Sequence, residues 1–422
     1  MTDAGDSTLH VVMNGRVIGD IQRTGRRRMR LRYAEPVGGG FTPLSVSMSG
    51  PSGRYREGAL VPWLEGLLPD RPETLLQWRR RFGVTDDNPF ALLRHVGEDV
   101  AGAAQFVRPD RLEAVRAELG SLAAFRDEDV AEMLRRAQAN LPLGVSEGPG
   151  GKFSLAGAQA KVALHRADGG WSNPLGPIPS THILKPAIPG MADQDLVEAV
   201  TMRTATHLGL QVARTEIVEF AGDRAVVIER YDRVLKDGRW RRVHQEDMCQ
   251  ALGRWPVQKY ESQGGPGAGA VADLISRVST RPEEDSRRFA QALVFNWLVC
   301  GTDAHARNYS LLLSGDTARL APLYDLNSHL AYSDGRGNDL SMSVSGTFRA
   351  ARVTPDGWVR VARELHVDPE WMRSEIDRQT SELVSSMRRA SESPDVARYA
   401  SPVIERLLVN VEAWLQQRAG AS

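Results

Sequence analysis

Thr302-Asp303-Ala304-His305-Ala306-Arg307-Asn308, followed after two short apolar runs by Leu323-Tyr324-Asp325, decides how this 422-residue chain reads. An Asp is followed five positions later by an Asn, and a second Asp comes further on. Protein-kinase-type phosphotransferases place a catalytic base, one metal ligand and a second metal ligand in this order. Residues 286–299 just upstream have an apolar helical pattern, so a rigid element is expected to present Asp303 at a cleft edge. There it would accept the proton of an acceptor hydroxyl. Residues 309–313 and 319–323 read as two strands about Ser314-Gly315-Asp316. Such a hairpin folds Asp325 back beside Asn308, where a carboxylate and an amide oxygen suit Mg²⁺. Taken singly, a helix N-cap or an Asx turn is the commoner fate of such an Asp or Asn. Three in this order behind an apolar helix favour the catalytic reading.

Working outward, residues 151–235 read as strand-rich, with strands expected at 153–155, 161–165, 181–185, 216–220 and 225–229 and a helix at 195–208. Lys185 ends an alternating strand, Thr181-His182-Ile183-Leu184-Lys185. It is a candidate for holding the α/β-phosphates, with Glu198 on the following helix as its ion-pair partner; a plain strand-end Lys is the competing reading. Ser154-Leu155-Ala156-Gly157-Ala158-Gln159-Ala160-Lys161 is a turn of small residues. Small side chains let backbone N–H groups approach phosphate, although a simple hairpin turn has the same composition. Glu229-Arg230-Tyr231-Asp232 closes this lobe where a kinase backbone meets the adenine edge, and Tyr231 either flanks the base or packs in the core. His305 has no second His or Cys at i+3 or i+4, which favours orientation of phosphates or turn structure over metal ligation.

The remaining chain frames this unit. Residues 8–20 alternate about Asn14-Gly15, a hairpin signal, and 29–33 and 44–48 read as further strands. Residues 59–82, 112–119 and 127–139 read as helical, and the Gly-rich stretch 144–151 as a domain boundary. The chain after Gln245 reads as mostly helical. Lys+Arg and Asp+Glu both number 53, so no net charge draws the chain to DNA or an anionic membrane; basic runs such as Arg79-Arg80-Arg81 read as solvated faces. No apolar run has the length of a membrane span, and Cys249 and Cys300 lack CxxC spacing. Free thiols in a reducing cytosol, hence a cytoplasmic location, are expected.

With these segments in order, the chain resembles HipA-type serine/threonine kinases, the toxin half of a bacterial toxin–antitoxin pair. The resemblance rests on the 154–161 loop, Thr181–Lys185, Ile228-Glu229-Arg230-Tyr231-Asp232-Arg233, Gln245-Glu246-Asp247-Met248-Cys249-Gln250, Lys259-Tyr260-Glu261 through Gly267, Asn296-Trp297-Leu298, Thr302–Asn308 and Tyr324-Asp325. Leu64-Glu65-Gly66-Leu67-Leu68-Pro69-Asp70 resembles part of the family's N-terminal subdomain. The resemblance implies an α+β, two-lobed, protein-kinase-like fold. Its expected parts are an N-terminal subdomain (1–110), a helical connector (111–150), a kinase N-lobe with the phosphate loop (151–235) and a helical C-lobe (236–422). It implies ATP and Mg²⁺, with Asp303 as base and Asn308 and Asp325 on the metal. Residues 156–161, Lys185, Glu229, Arg230, Tyr231, His305, Asn308, Tyr324 and Asp325 would face the nucleotide. Ser154 would be an autophosphorylated serine whose modification ejects the phosphate loop, and residues 187–194 would be the activation loop. The expected partners are a protein substrate, an aminoacyl-tRNA synthetase, and a small helix-turn-helix antitoxin, HipB-like, through which operator DNA is contacted. A pseudokinase corepressor or a small-molecule kinase on the same fold are the alternatives. Ala160, where relatives often carry Glu, and Ser341-Met342-Ser343-Val344-Ser345, in place of a Lys-rich segment, bear on target choice and antitoxin contact.

Overall fold

A computed structural model describes residues 7–25, 28–36, 39–50, 52–141 and 153–419. The expected boundary at 144–151 lies outside the described residues. Three hydrophobic clusters organise the rest. The first belongs to an antiparallel five-stranded sheet in the order Arg54–Arg56, Met29–Tyr33, Arg16–Arg23, Thr8–Met13, Gln105–Val107. Asn14 and Gly15 both take positive φ, as a tight hairpin between Thr8–Met13 and Arg16–Arg23 requires. Helices Glu57–Glu65 and Pro89–Val96 bury Trp63, Leu64, Phe90 and Leu93 in this cluster.

Two expectations in this unit fail for local reasons. Residues 44–48 are not a strand: the Tyr33 hydroxyl accepts from Leu44 N and donates to Met48 O, and Ser45 caps a short 3₁₀ turn, Val46–Met48. The helical stretch expected over 59–82 is two helices, Glu57–Glu65 and Pro72–Arg81. Pro69 and Pro72 interrupt it, and Pro72 starts the second helix at its first turn, where a missing N–H costs nothing.

The second cluster lies under a six-stranded antiparallel sheet: Thr215–Phe220, Asp223–Glu229, His182–Pro186, Val162–Ala167, Gly170–Leu175 and Ser121–Phe125. Helix Asp127–Gln138 covers it with Val130, Ala131 and Leu134. Ser121–Phe125, from the expected connector, is the sheet's edge strand and pairs with Gly170–Leu175. Residues 153–155 form no strand; the Ser154 N–H donates instead to Asp99 O at 3.0 Å. Helix Gln194–His207 has an almost entirely buried surface and joins the third, largest cluster. That cluster is built on helices Pro282–Leu298, Pro369–Ser391 and Pro402–Ala419, with the three-stranded sheet His244–Asp247, Ser310–Ser314, Thr317–Leu320. The result is an α+β, two-lobed kinase-like arrangement with a β-rich N-terminal unit against it. Among the described residues no helix is long and apolar enough to cross a membrane.

Candidate active site

Helix Pro282–Leu298 is fixed before it delivers the 302–308 segment. Asp285 in its first turn binds Arg319 and Arg288 and accepts from Leu320 N at 2.9 Å, which ties the helix to the strand Thr317–Leu320. At the other end, Cys300 takes a left-handed φ and Gly301 N donates to Asn296 O at 2.6 Å. A Cβ on Gly301 would lie 2.4 Å from Asn296 Oδ1, so a larger residue there would displace the Asn296 amide. Asp303 follows, with its side chain exposed to the cleft. Its backbone carbonyl accepts from the Asn308 side-chain Nδ2 at 2.6 Å, which leaves Asn308 Oδ1 as the outward atom. Tyr324, between the hairpin and Asp325, donates to Arg307 O at 2.8 Å and accepts from the Ser310 hydroxyl at 2.6 Å, locking the floor of the segment.

Asp325 takes a left-handed φ of 57° after a backbone bridge between Leu323 and Val212. Its Oδ1 lies 2.7 Å from Lys185 Nζ, and Glu198 Oε1 lies 2.7 Å from the same nitrogen. Lys185 reaches this point because the strand His182–Pro186 runs beside Asp223–Glu229; Glu198 sits on helix Gln194–His207. Burial opposes charge on Lys185, but the two carboxylates outweigh it and raise its pKa. Burial likewise opposes charge on Asp325, yet Lys185 holds its carboxyl down near 2. Glu198, fully buried, is raised by desolvation, against the pull of Lys185.

The small-residue loop 154–161 lies opposite. Leu155, Ala156, Gly157, Ala158, Gln159 and Lys161 line the same cleft of about 480 Å³ as Lys185, Asp303, His305, Asn308, Tyr324 and Asp325. Gly157 has φ 102°, and a Cβ there would meet Lys161 Nζ at 2.6 Å. Burial and the nearby Lys185 charge pull the Lys161 pKa down to about 8. His305 is buried; burial pulls its pKa down to about 4, so its imidazole is neutral, and its Nδ1 has no partner among the described residues. The neutral ring stacks edge-on against Tyr260, 5.0 Å away.

Where the strand Asp223–Glu229 ends, Tyr231 and Tyr324 sit 5.8 Å apart, tilted by 33°, and line the cleft with Ile183, Ala213 and Ile228. This apolar slot suits a flat heterocycle. Glu229 lines the slot's mouth and is exposed. The Arg230 guanidinium turns away: it donates to Asp232, Ser180 Oγ and Val100 O in a buried network with Asp99, Arg233 and Arg242. The Arg230 charge therefore fastens the N-terminal unit to the 229–232 segment rather than facing the cleft.

Three expected site residues do not line the cleft: Glu198, fully buried against Lys185, and Ala160 and Ser154. Ala160 lines a separate hollow of about 110 Å³ behind the loop. Ser154 is fully buried, and its hydroxyl donates to Leu67 O at 2.7 Å. In residues 187–194, Asp193 is held by Arg224 at 2.7 Å and Ser401 at 2.6 Å.

Sequence reasoning gave no role to four residues that touch the site. Tyr260 OH donates to Asp303 Oδ1 at 2.6 Å. Lys259, Arg307 and Asp70 form an ion-pair cluster beside it. All four stood within quoted motifs, but their contacts span distances in sequence that spacing does not encode.

Residues 153–387 match the family model described as the HipA-like C-terminal domain, and residues 9–107 match the HipA N-terminal domain. The "Putative kinase Y4mE" of Sinorhizobium fredii is 35% identical over 91% of this chain and 92% of its own length. The "Serine/threonine-protein kinase toxin HipA" of Shewanella oneidensis is 32% identical over 63% of this chain and 62% of its own length. A chain in the solved complex of HipA, HipB and operator DNA from Shewanella oneidensis MR-1 superposes with a TM-score of 0.81 at 25% identity, covering 97% of both chains. The chain belongs to the HipA family of kinases.

Proposed function

We propose that this HipA-family chain is an ATP- and Mg²⁺-dependent serine/threonine protein kinase. The observation that carries this reading is Lys185 held between Glu198 and Asp325, 2.7 Å from each, across a cleft that also presents Asp303 and Asn308. A lysine gripped from a buried helix is preorganised as a phosphate anchor.

The donor set fits a magnesium nucleotide. No group of three His, Cys, Asp or Glu that could hold a metal by itself occurs among the described residues. Mg²⁺ in kinases takes one or two protein oxygens and completes its shell with phosphates and water. Asn308 Oδ1 and the Asp325 carboxylate would hold it, and when bound it would neutralise charge on the β- and γ-phosphates. Adenine would occupy the Tyr231–Tyr324 slot, against the backbone of Glu229 to Tyr231. The loop from Ala156 to Lys161 would cover the phosphates with its N–H groups, and neutral His305 would orient them. Asp303 would accept the acceptor hydroxyl's proton as the phosphorus–oxygen bond to that hydroxyl forms and ADP leaves.

By the family reading, Ser154 is an autophosphorylation site that switches the kinase off. Its burial supports this. A doubly charged group cannot stay where the Ser154 hydroxyl meets Leu67 O, so the loop must leave the phosphate site. The Shewanella relative's complex with HipB and operator DNA supports a helix-turn-helix antitoxin partner, with DNA reached mainly through it. An aminoacyl-tRNA synthetase as target, and growth arrest as outcome, complete the proposal. Calorimetric titration with ATP tests the site. Binding that needs Mg²⁺ and is lost in Asp325→Asn is expected; equal affinity in EDTA contradicts it.

A further inference from the structure

One carboxylate from the N-terminal unit touches three parts of the kinase site. Asp70 follows helix Glu57–Glu65 at the end of the 64–70 segment, and its side chain is 19% exposed. Its Oδ1 accepts from Arg307 Nη1 and lies 3.4 Å from the N–H of Gly157 in the phosphate loop. Its Oδ2 accepts from Lys259 Nζ at 3.1 Å. Its own N–H donates to Gly157 O at 3.3 Å, and Pro69 pairs with Gly157 as a parallel β-bridge.

Each contact leads to a different catalytic element. Arg307 immediately precedes Asn308; it also binds Asp247 at 3.1 Å and donates to Gly66 O at 2.9 Å. Lys259 immediately precedes Tyr260, whose hydroxyl holds Asp303 at 2.6 Å. Gly157 is the tight point of the phosphate loop, and three residues earlier Ser154 is tied to Leu67 O of the same segment. Burial opposes charge on Asp70, but Arg307 and Lys259 prevail and hold its pKa near 2, so it is ionised at any working pH.

A surface ion pair for Arg307 alone would need neither the loop contact nor the bridge at Pro69. We propose that Asp70 is a positioning residue of the transfer site, supplied by the N-terminal unit, which sets the phosphate loop in register with the catalytic segment. The N-terminal unit then completes the nucleotide site, and whatever frees the 66–70 segment also frees the Ser154 hydroxyl from Leu67 O. This rests on the kinase reading for its catalytic consequence, but its structural core does not.

Amide hydrogen exchange of residues 154–161 in the full-length protein without nucleotide tests the core directly. Loss of one charged hydrogen bond predicts about tenfold faster exchange there in Asp70→Ala and Asp70→Asn, with helix Gln194–His207 unchanged. The nucleotide readout is a split. In the same variants the KM for ATP rises about tenfold or more, and Asp70→Glu restores part of it. Glu35→Gln, which breaks an exposed ion pair with Arg16 in the same unit, serves as the control and leaves both readouts at wild-type values. Should either variant prove too unstable to purify, the other carries the test. Unchanged exchange at 154–161 in a folded variant overturns the proposal, whether or not the protein transfers phosphate. Faster exchange with no nucleotide binding even in the wild type would sink the kinase reading while leaving the tie intact.

Discussion

Replacing Lys185 with methionine keeps the length of the side chain and removes its charge. Glu198, with no exposed side-chain surface, then loses its cation, and Asp325 loses the partner of its Oδ1. Glu198 keeps one neutral donor, Gln194 Nε2 at 3.3 Å. Stranding one member of a buried pair costs about 3–5 kcal/mol, because the remaining charge is desolvated without compensation. Asp325 is about a third exposed, so solvent screens its loss and it adds little. Lys185→Met should therefore lose about 3–5 kcal/mol in urea denaturation, with faster amide exchange in helix Gln194–His207 as the local sign. The cost is that of a charge, so Lys185→Met/Glu198→Gln should recover about 2 kcal/mol or more of it, a coupling typical of direct contact. Glu198 already has a raised pKa from burial, so the single variant's deficit should shrink as pH falls and Glu198 takes up a proton. A single variant within about 0.5 kcal/mol of wild type, or a double variant whose losses simply add, would refute the reasoning.

Tyr260→Phe removes the hydroxyl that orients Asp303, so kcat should fall about tenfold with the KM for ATP unchanged, as steady-state kinetics would show. Ser154→Asp should abolish nucleotide binding and speed proteolysis near the loop, whereas Ser154→Ala, losing one buried hydrogen bond, should cost only about 1 kcal/mol. Glu246 accepts from Val46 N and Trp63 Nε1 at the seam with the N-terminal unit, and burial raises its pKa to about 7. The folded state then holds a proton that the unfolded state has released, so its contribution to stability falls as pH rises from about 4.5 to about 7 and is flat above. In denaturation at successive pH values, wild type should lose ground to Glu246→Gln across that window; a constant difference would contradict the assignment.

The sequence made the spatial grouping of one half of the candidate site legible because its signals are local. Asp303, Asn308 and Asp325 follow one apolar helix and one hairpin, and Lys185 ends an alternating strand that leads into the helix carrying Glu198. Asn14-Gly15 marked its hairpin for the same reason. What was hidden depends on distant pairing. Ser121–Phe125 has few large apolar residues and becomes a strand only by adding to Gly170–Leu175. Residues 44–48 alternate like a strand, but the Tyr33 hydroxyl captures their backbone. Arg230 sits in a hinge motif, yet its charge is spent on Asp232 and the Val100 carbonyl. Asp70 lies more than two hundred residues from Arg307, and no spacing rule connects them.

The most direct measurement is phosphate transfer itself. Purified full-length protein is incubated with γ-labelled ATP and Mg²⁺, and label is followed onto its own Ser154 and onto proteins of a lysate, with Asp303→Asn alongside. The account predicts label on serine or threonine that needs both Mg²⁺ and Asp303. Bound ATP with no transfer in the wild type, or equal transfer by Asp303→Asn, would contradict it.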